Sequence, residues 1–154
     1  MTDTTVRKTI TVQAPPEKAF EAFTGGIGRW WPLDTYKIGA APAVDASIEP
    51  HEGGRWFERG DDGSECDWGR VLAWEPPGRV VLAWQISADW RFDPGVETEL
   101  EIRFTPEGDG ATLVELEHRG LESYGERAEQ MAGILGSPQG WSGLLERYSG
   151  TVSA

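Results

Sequence analysis

The stretch VETELEIRFTPEGDGATLVELEHRG, residues 96–120, reads as two strands joined by a turn. In its first half Val96, Thr98, Leu100, Ile102 and Phe104 alternate with Glu97, Glu99, Glu101 and Arg103. After PEGDG, Thr112, Val114, Leu116 and His118 alternate with Glu115, Glu117 and Arg119. Successive strand side chains point to opposite faces, so this pattern predicts an antiparallel sheet with one dry and one wet face. A dry face needs a cover. The cover is expected from GWSGLLERYSG, residues 140–150, where Trp141, Leu144, Leu145 and Tyr148 follow the i, i+3, i+4, i+7 spacing of one helix face.

The pattern extends to the rest of the chain. VRKTITVQ, residues 6–13, alternates as a strand. Pro15 and Pro16 suit a helix start, with Ala19, Phe20 and Phe23 as its apolar stripe and Gly25-Gly26 as its end. IGRWWP reads as a short second helix stopped by Pro32, and residues 33–42 as a loop. Val44, Ala46 and Ile48 are expected on one strand face, then come RWFERG, the turn DDG, and the long strand SECDWGRVLAW, bulged near Gly69. In RVVLAWQI, the residues Val80, Leu82, Trp84 and Ile86 share a face. Residues 121–135 look helical through Ala128, Met131, Ala132 and Leu135, and Ser137-Pro138 is expected to cap a restarted helix. The predicted class is α+β: a strand, two short helices, a run of antiparallel strands and a C-terminal helix, all in a single domain over residues 1–154.

Composition excludes several functions. At 38% hydrophobic residues the chain is expected to fold rather than remain disordered. A net charge of −12, with scattered Lys and Arg, repels phosphate backbones, so no nucleic-acid partner is expected. No apolar run approaches the roughly 20 residues of a membrane span, and the N-terminus MTDTTVRKTITV lacks a signal core. One cysteine, Cys66, allows no intrachain disulfide, and a reducing cytoplasm is the simple expectation. With two His, His51 and His118, and that one Cys, no zinc set is expected, and nothing indicates another cofactor. Gly25, Gly26 and Gly28 are not spaced as a phosphate loop.

The segments TVQAPPEKAFEAFT, RWWP, GSECDWGRVLAWEPPGRVVLAW, TELEIRFTPEGDGATLVELEHRGLE and GWSGLLERY together resemble bacterial SRPBCC proteins. Within that superfamily they are similar to the AHSA-like branch, named after activators of the heat-shock chaperone ATPase. The resemblance runs from about residue 6 to residue 149. It implies a START-like helix-grip fold, in which a curved antiparallel sheet wraps a long C-terminal helix, two short helices close one end, and a cavity lies between helix and sheet. Many relatives hold apolar molecules there, and some use the cavity as an active site. The chaperone activators carry a further N-terminal domain not found in this sequence. The C-terminal helix is interrupted here at Gly136–Gly140, which predicts an altered cavity shape.

Eight Trp suit either a bulky core or an aromatic pocket. Trp84 and Trp141 are the expected cavity wall, from strand parity and helix face. Trp30 and Trp31 are expected at the entrance, with Trp56 and Trp68 as further wall candidates. Ile102 and Leu116 join them by strand parity, Met131 and Leu145 by helix face. His118 shares the dry face, where it serves either a ligand hydrogen bond or proton transfer, or is a strand-end His satisfied by a backbone carbonyl. If Trp56 points inward, so does Glu58, and a buried carboxylate then needs a partner. In the alternative, Phe57 points inward and Glu58 is wet. Cys66 is read as a small core residue. The loop SADWRFDPG, residues 87–95, is either a gate or tucks Trp90 and Phe92 over the sheet edge.

The leading functional expectation is a binding protein for a hydrophobic small molecule. The alternatives are a cyclase- or hydrolase-like enzyme using the same cavity and a protein-interaction module linked to chaperones. A homodimer is left open.

Overall fold

The computed structural model describes residues 4–153. The first three residues of the N-terminal stretch discussed above, and residue 154, lie outside the described residues. In chain order the elements are β1 (Val6–Val12), α1 (Pro16–Thr24), α2 (Ile27–Trp30), β2 (Ala43–Ile48), β3 (Arg55–Gly60), β4 (Glu65–Glu75), β5 (Arg79–Trp84), β6 (Thr98–Pro106) and β7 (Thr112–Arg119). A 3-10 helix (Leu121–Arg127), α3 (Ala128–Leu135) and α4 (Trp141–Val152) follow. All strands pair antiparallel in one seven-stranded sheet of order β1-β7-β6-β5-β4-β3-β2.

The β6–β7 hairpin follows its sequence alternation. Thr98, Leu100, Ile102 and Phe104 are buried on one face, the last three in register with His118, Leu116 and Val114. α4 covers this face through Trp141, Leu144, Leu145, Tyr148 and Val152. α1 packs beside it: the Phe20 ring meets Phe104 at 5.3 Å and Trp74 at 5.0 Å, and the Tyr148 hydroxyl donates to the Ala19 carbonyl at 2.7 Å. One hydrophobic core joins these elements.

The outer face is not uniformly wet. Glu101 is only 6% exposed, because Arg79 (2.6 Å), Arg103 (2.8 Å) and Arg119 (2.6 Å) close over it. Burial alone would raise its pKa, but hydrogen bonds from these three guanidinium groups hold it down to about 2.

Strand parity breaks at three register shifts. On β2 the shift between Ala43 and Asp45 turns Val44 outward, 57% exposed, off the face it was expected to share with Ala46 and Ile48, which stay inside. On β4 the pairing skips from Phe57↔Asp67 to Trp56↔Gly69, which brings Trp68 inward. Gly69 is required there: a Cβ would run into the Ala83 carbonyl. A second shift between Val71 and Ala73 exposes Leu72 and returns Trp74 to the core side. Such bulges bend and coil a strand, here where the sheet curls round the helix.

Two helical expectations are corrected. Residues 121–127 form a 3-10 segment, kinked within by Gly125 at φ 62°, and the α-helix begins only at Ala128. Ser137 does not cap α4. Its hydroxyl donates to the Ile134 carbonyl at 2.6 Å, closing α3, and α4 starts only after Gly140. Gly140 passes so close to the Leu135 and Ile134 carbonyls that a side chain would collide with them. The C-terminal helical segment is thus two helices with a tight link between them.

Candidate functional site

A cavity of about 430 Å³ lies between helix and sheet, beside the link between α3 and α4. Its wall is buried and apolar: Trp31, Trp68, Trp84, Ile86, Leu135, Trp141 and Leu144. Its rim comes from three segments. The loop after α2 supplies Thr35, Tyr36, Lys37 and Ile38; the loop after β5 supplies Trp90; and the α3 end and link supply Ile134, Gln139 and Gly140. The Tyr36 hydroxyl donates to the Gln139 carbonyl at 2.6 Å and ties the first segment to the third.

The wall is a network of rings at angles. Trp31 meets Trp68 at 4.9 Å and Trp141 at 6.0 Å, and Trp84 meets Trp141 at 5.7 Å. Edge-to-face contacts of this kind fix ring orientation as well as burying area. The indole nitrogens of the wall do not all reach outward. Trp31 donates to the Tyr36 carbonyl at 2.8 Å, Trp68 to Glu58 at 2.9 Å, and Trp141 to His118 at 3.1 Å.

Of the residues singled out from sequence, Trp31, Trp68, Trp84 and Trp141 line this cavity. Trp30 lies in the core instead, against Phe23 (5.1 Å) and Tyr148 (5.6 Å), with its N–H on the Ala22 carbonyl. Trp56 stands one layer behind the wall, against Trp68 and Trp84, and its buried N–H has no partner among the described residues. Ile102, Leu116, Met131 and Leu145 are buried core residues outside the lining. Sequence reasoning missed Tyr36, Lys37, Ile38, Leu135, Leu144 and Gln139. The aromatic and aliphatic residues inside the 33–42 loop were the available signal.

His118 is fully buried behind Trp84 and Trp141 and does not line the cavity. Its Nδ1 accepts the Trp141 N–H at 3.1 Å, and its Nε2 lies 3.0 Å from the Thr98 hydroxyl. That hydroxyl gives its single proton to the Trp84 carbonyl at 2.7 Å, so Nε2 must carry the hydrogen and donate to Thr98. The imidazole is neutral with both nitrogens engaged, and burial lowers its pKa to about 3. These hydrogen bonds tie His118 to Trp141 and Thr98.

Glu58 is inside, 2% exposed, and has its partners. It accepts from the Ile38 N–H (2.6 Å), the Gly39 N–H (3.2 Å) and the Trp68 indole. This carboxylate pins the rim loop to the sheet. Cys66, its neighbour across β3 and β4, is half-buried rather than core, and burial together with the Glu58 charge raises its pKa.

Trp90 and Phe92 do not tuck over the sheet edge; they are 43% and 38% exposed. A turn closed by Ser87 N–H to the Arg91 carbonyl and an Ile86↔Phe92 bridge projects them outward. Trp90 takes φ 62°, a left-handed conformation costly for a bulky residue. The turn is braced by Arg127, which pairs with Asp89 at 2.9 Å. Among the described residues no group of His, Cys, Asp and Glu is arranged to hold a metal ion, and no helix is long and apolar enough to cross a membrane.

A seven-stranded antiparallel sheet curled over a C-terminal helix, with a cavity between them, is a helix-grip fold of the START-like class. The profile of the Activator of Hsp90 ATPase homolog 1-like family matches residues 13–149, and the chain belongs to that family. Among solved structures it is similar to Txn09, an anthrahydroquino-gamma-pyrone synthase complexed with SUM, with 35% identity over 95% of each chain and a TM-score of 0.66. It is also similar to CalC, a self-sacrificing resistance protein from Micromonospora echinospora, with 29% identity over 97% of this chain and 94% of that one and a TM-score of 0.72. The Aha1 dimer from Colwellia psychrerythraea shares the fold at 19% identity, covering 97% of this chain and 96% of that one, with a TM-score of 0.64. No curated protein sequence matches this one.

Proposed function

We propose that this protein binds a planar, largely apolar aromatic molecule in the cavity between sheet and α4. The observation that carries this reading is the wall itself: four Trp rings around about 430 Å³, with their polar edges turned to protein partners or buried. That volume lies within the roughly 300–1,000 Å³ range of small-molecule sites, and apolar walls with few polar groups suit an apolar guest. Flat rings stack well on indole faces, which favours a ring system over a flexible chain. The likeness to an anthrahydroquino-gamma-pyrone synthase supports the same ligand shape.

A ligand that binds only the folded state raises the unfolding midpoint in proportion to the logarithm of its excess over Kd. Anthraquinone is expected to raise the thermal midpoint progressively with concentration, and dodecanoate to leave it unchanged. A midpoint raised by the fatty acid but not by the aromatic would refute a planar-ring site.

The 35% identity to a synthase also favours turnover of the bound molecule as a second reading. His118 is unsuited to acid-base work there, since both its nitrogens are engaged behind the wall. The titratable groups that reach the cavity are Tyr36 and Lys37. Recovery of a bound probe chemically unchanged after prolonged incubation would favour binding alone.

A further inference from the structure

We infer that Lys37 selects ligands bearing an acidic oxygen, a carboxylate or an ionised phenol or enol, at one edge of the apolar ring system. This assignment rests on the reading of the cavity as a binding site.

Among the described residues that line the cavity, Lys37 alone carries a charge. It is half-buried at the rim, and its ammonium donates one hydrogen bond, to the Gly39 carbonyl at 2.6 Å. An ammonium has three donors, so two remain for a guest. Arg79, Arg103 and Arg119 close on Glu101, and Arg55 closes on Asp67 and Glu65. Lys37 makes no ion pair among the described residues, and its place in the cavity lining sets it apart from the other basic groups. In a chain of net charge −12, a cation left unpaired beside an aromatic box is a recognition element rather than part of the general surface.

Its position is held from below. Glu58 accepts the N–H groups of Ile38 and Gly39, the residues following Lys37, and this fixes the backbone that carries the ammonium. The Glu58 carboxylate also accepts the Trp68 indole, so the loop bearing Lys37 and the wall bearing Trp68 are set by one group. A ligand would lay its rings on the buried Trp faces and leave its oxygen at the rim. There the charge keeps part of its hydration and avoids the cost of deep burial.

The test compares two probes of one shape, anthraquinone-2-carboxylate and anthraquinone-2-carboxamide, titrated into the full chain with quenching of Trp fluorescence as readout. The carboxylate is expected to bind about tenfold more tightly than the amide, the scale of one charge-assisted hydrogen bond. In Lys37→Gln the preference should vanish, the carboxylate losing far more affinity than the amide, and Lys37→Arg should restore part of it. Equal binding of the two probes by the wild type, or a preference that survives Lys37→Gln, would overturn the role of Lys37 alone. Failure of both probes to bind would overturn the cavity reading together with it.

Discussion

Trp141→Ala is expected to lower the stability of the fold by about 4 kcal/mol, within the roughly 3–5 kcal/mol typical of truncating a buried Trp. Trp141 is 1% exposed and its ring touches Trp31, Trp84 and His118, so its loss opens a void at the centre of the wall. It also strands a polar atom. His118 Nδ1 accepts only the Trp141 indole among the described hydrogen bonds, and it has no route to water. Trp141→Phe separates the two effects, because it keeps most of the ring and removes the donor. Leaving a buried acceptor unpaired should cost about 1–3 kcal/mol on its own. Urea unfolding of both variants measures this. A loss within about 0.5 kcal/mol for Trp141→Ala, the scale of an exposed position, would contradict the packing described here.

The second large effect is with pH. In the folded chain His118 binds a proton only near pH 3, whereas an unfolded chain binds it near 6.5. Below 6.5 the unfolded state therefore gains a proton that the folded state refuses. Stability falls as the pH drops, by about 1.4 kcal/mol per pH unit, until the loss is complete near the folded value. Glu101 adds a second, lower window. Its folded pKa of about 2 is below the ordinary 4.5, so its contribution is present above 4.5 and is lost as the pH falls towards 2. The interval between pH 6.5 and about 5 thus belongs chiefly to His118. His118→Asn keeps an acceptor near the Nδ1 position and cannot titrate. Its stability should be flat across that interval where the wild type declines. A wild-type profile that is also flat there would mean that the imidazole is hydrated in the folded state.

The readable and unreadable parts of this structure divide by how local their causes are. β6 and β7 pair with each other without a bulge, so period-two alternation assigned every inward residue from Thr98 to His118. The face of α4 was equally plain, because helical spacing is a property of the segment itself. Trp68 and Val44 were not assignable in this way, since their direction depends on register shifts against partner strands. Glu58 was left open between two faces for the same reason, and its burial is explained by the Trp68 indole and by the N–H groups of Ile38 and Gly39, from a loop about twenty residues away in the chain. The cavity rim follows the same logic. Tyr36, Lys37 and Gln139 converge because Glu58 and the Tyr36–Gln139 hydrogen bond bring together segments that share no local pattern. The break at Gly136–Gly140 was visible in the sequence, but its consequence, a cavity mouth framed by Gln139 and Gly140, was not.

Binding of a planar aromatic guest against the Trp wall can be followed in the indole N–H resonances of 15N-labelled protein during titration with anthraquinone. Each Trp gives one resonance. Trp31, Trp68, Trp84, Trp90 and Trp141 are expected to shift together, while Trp74, packed against α1 away from the cavity, stays in place. A shift confined to Trp74, or no shift in any wall residue at saturating probe, would rule out a guest on this wall.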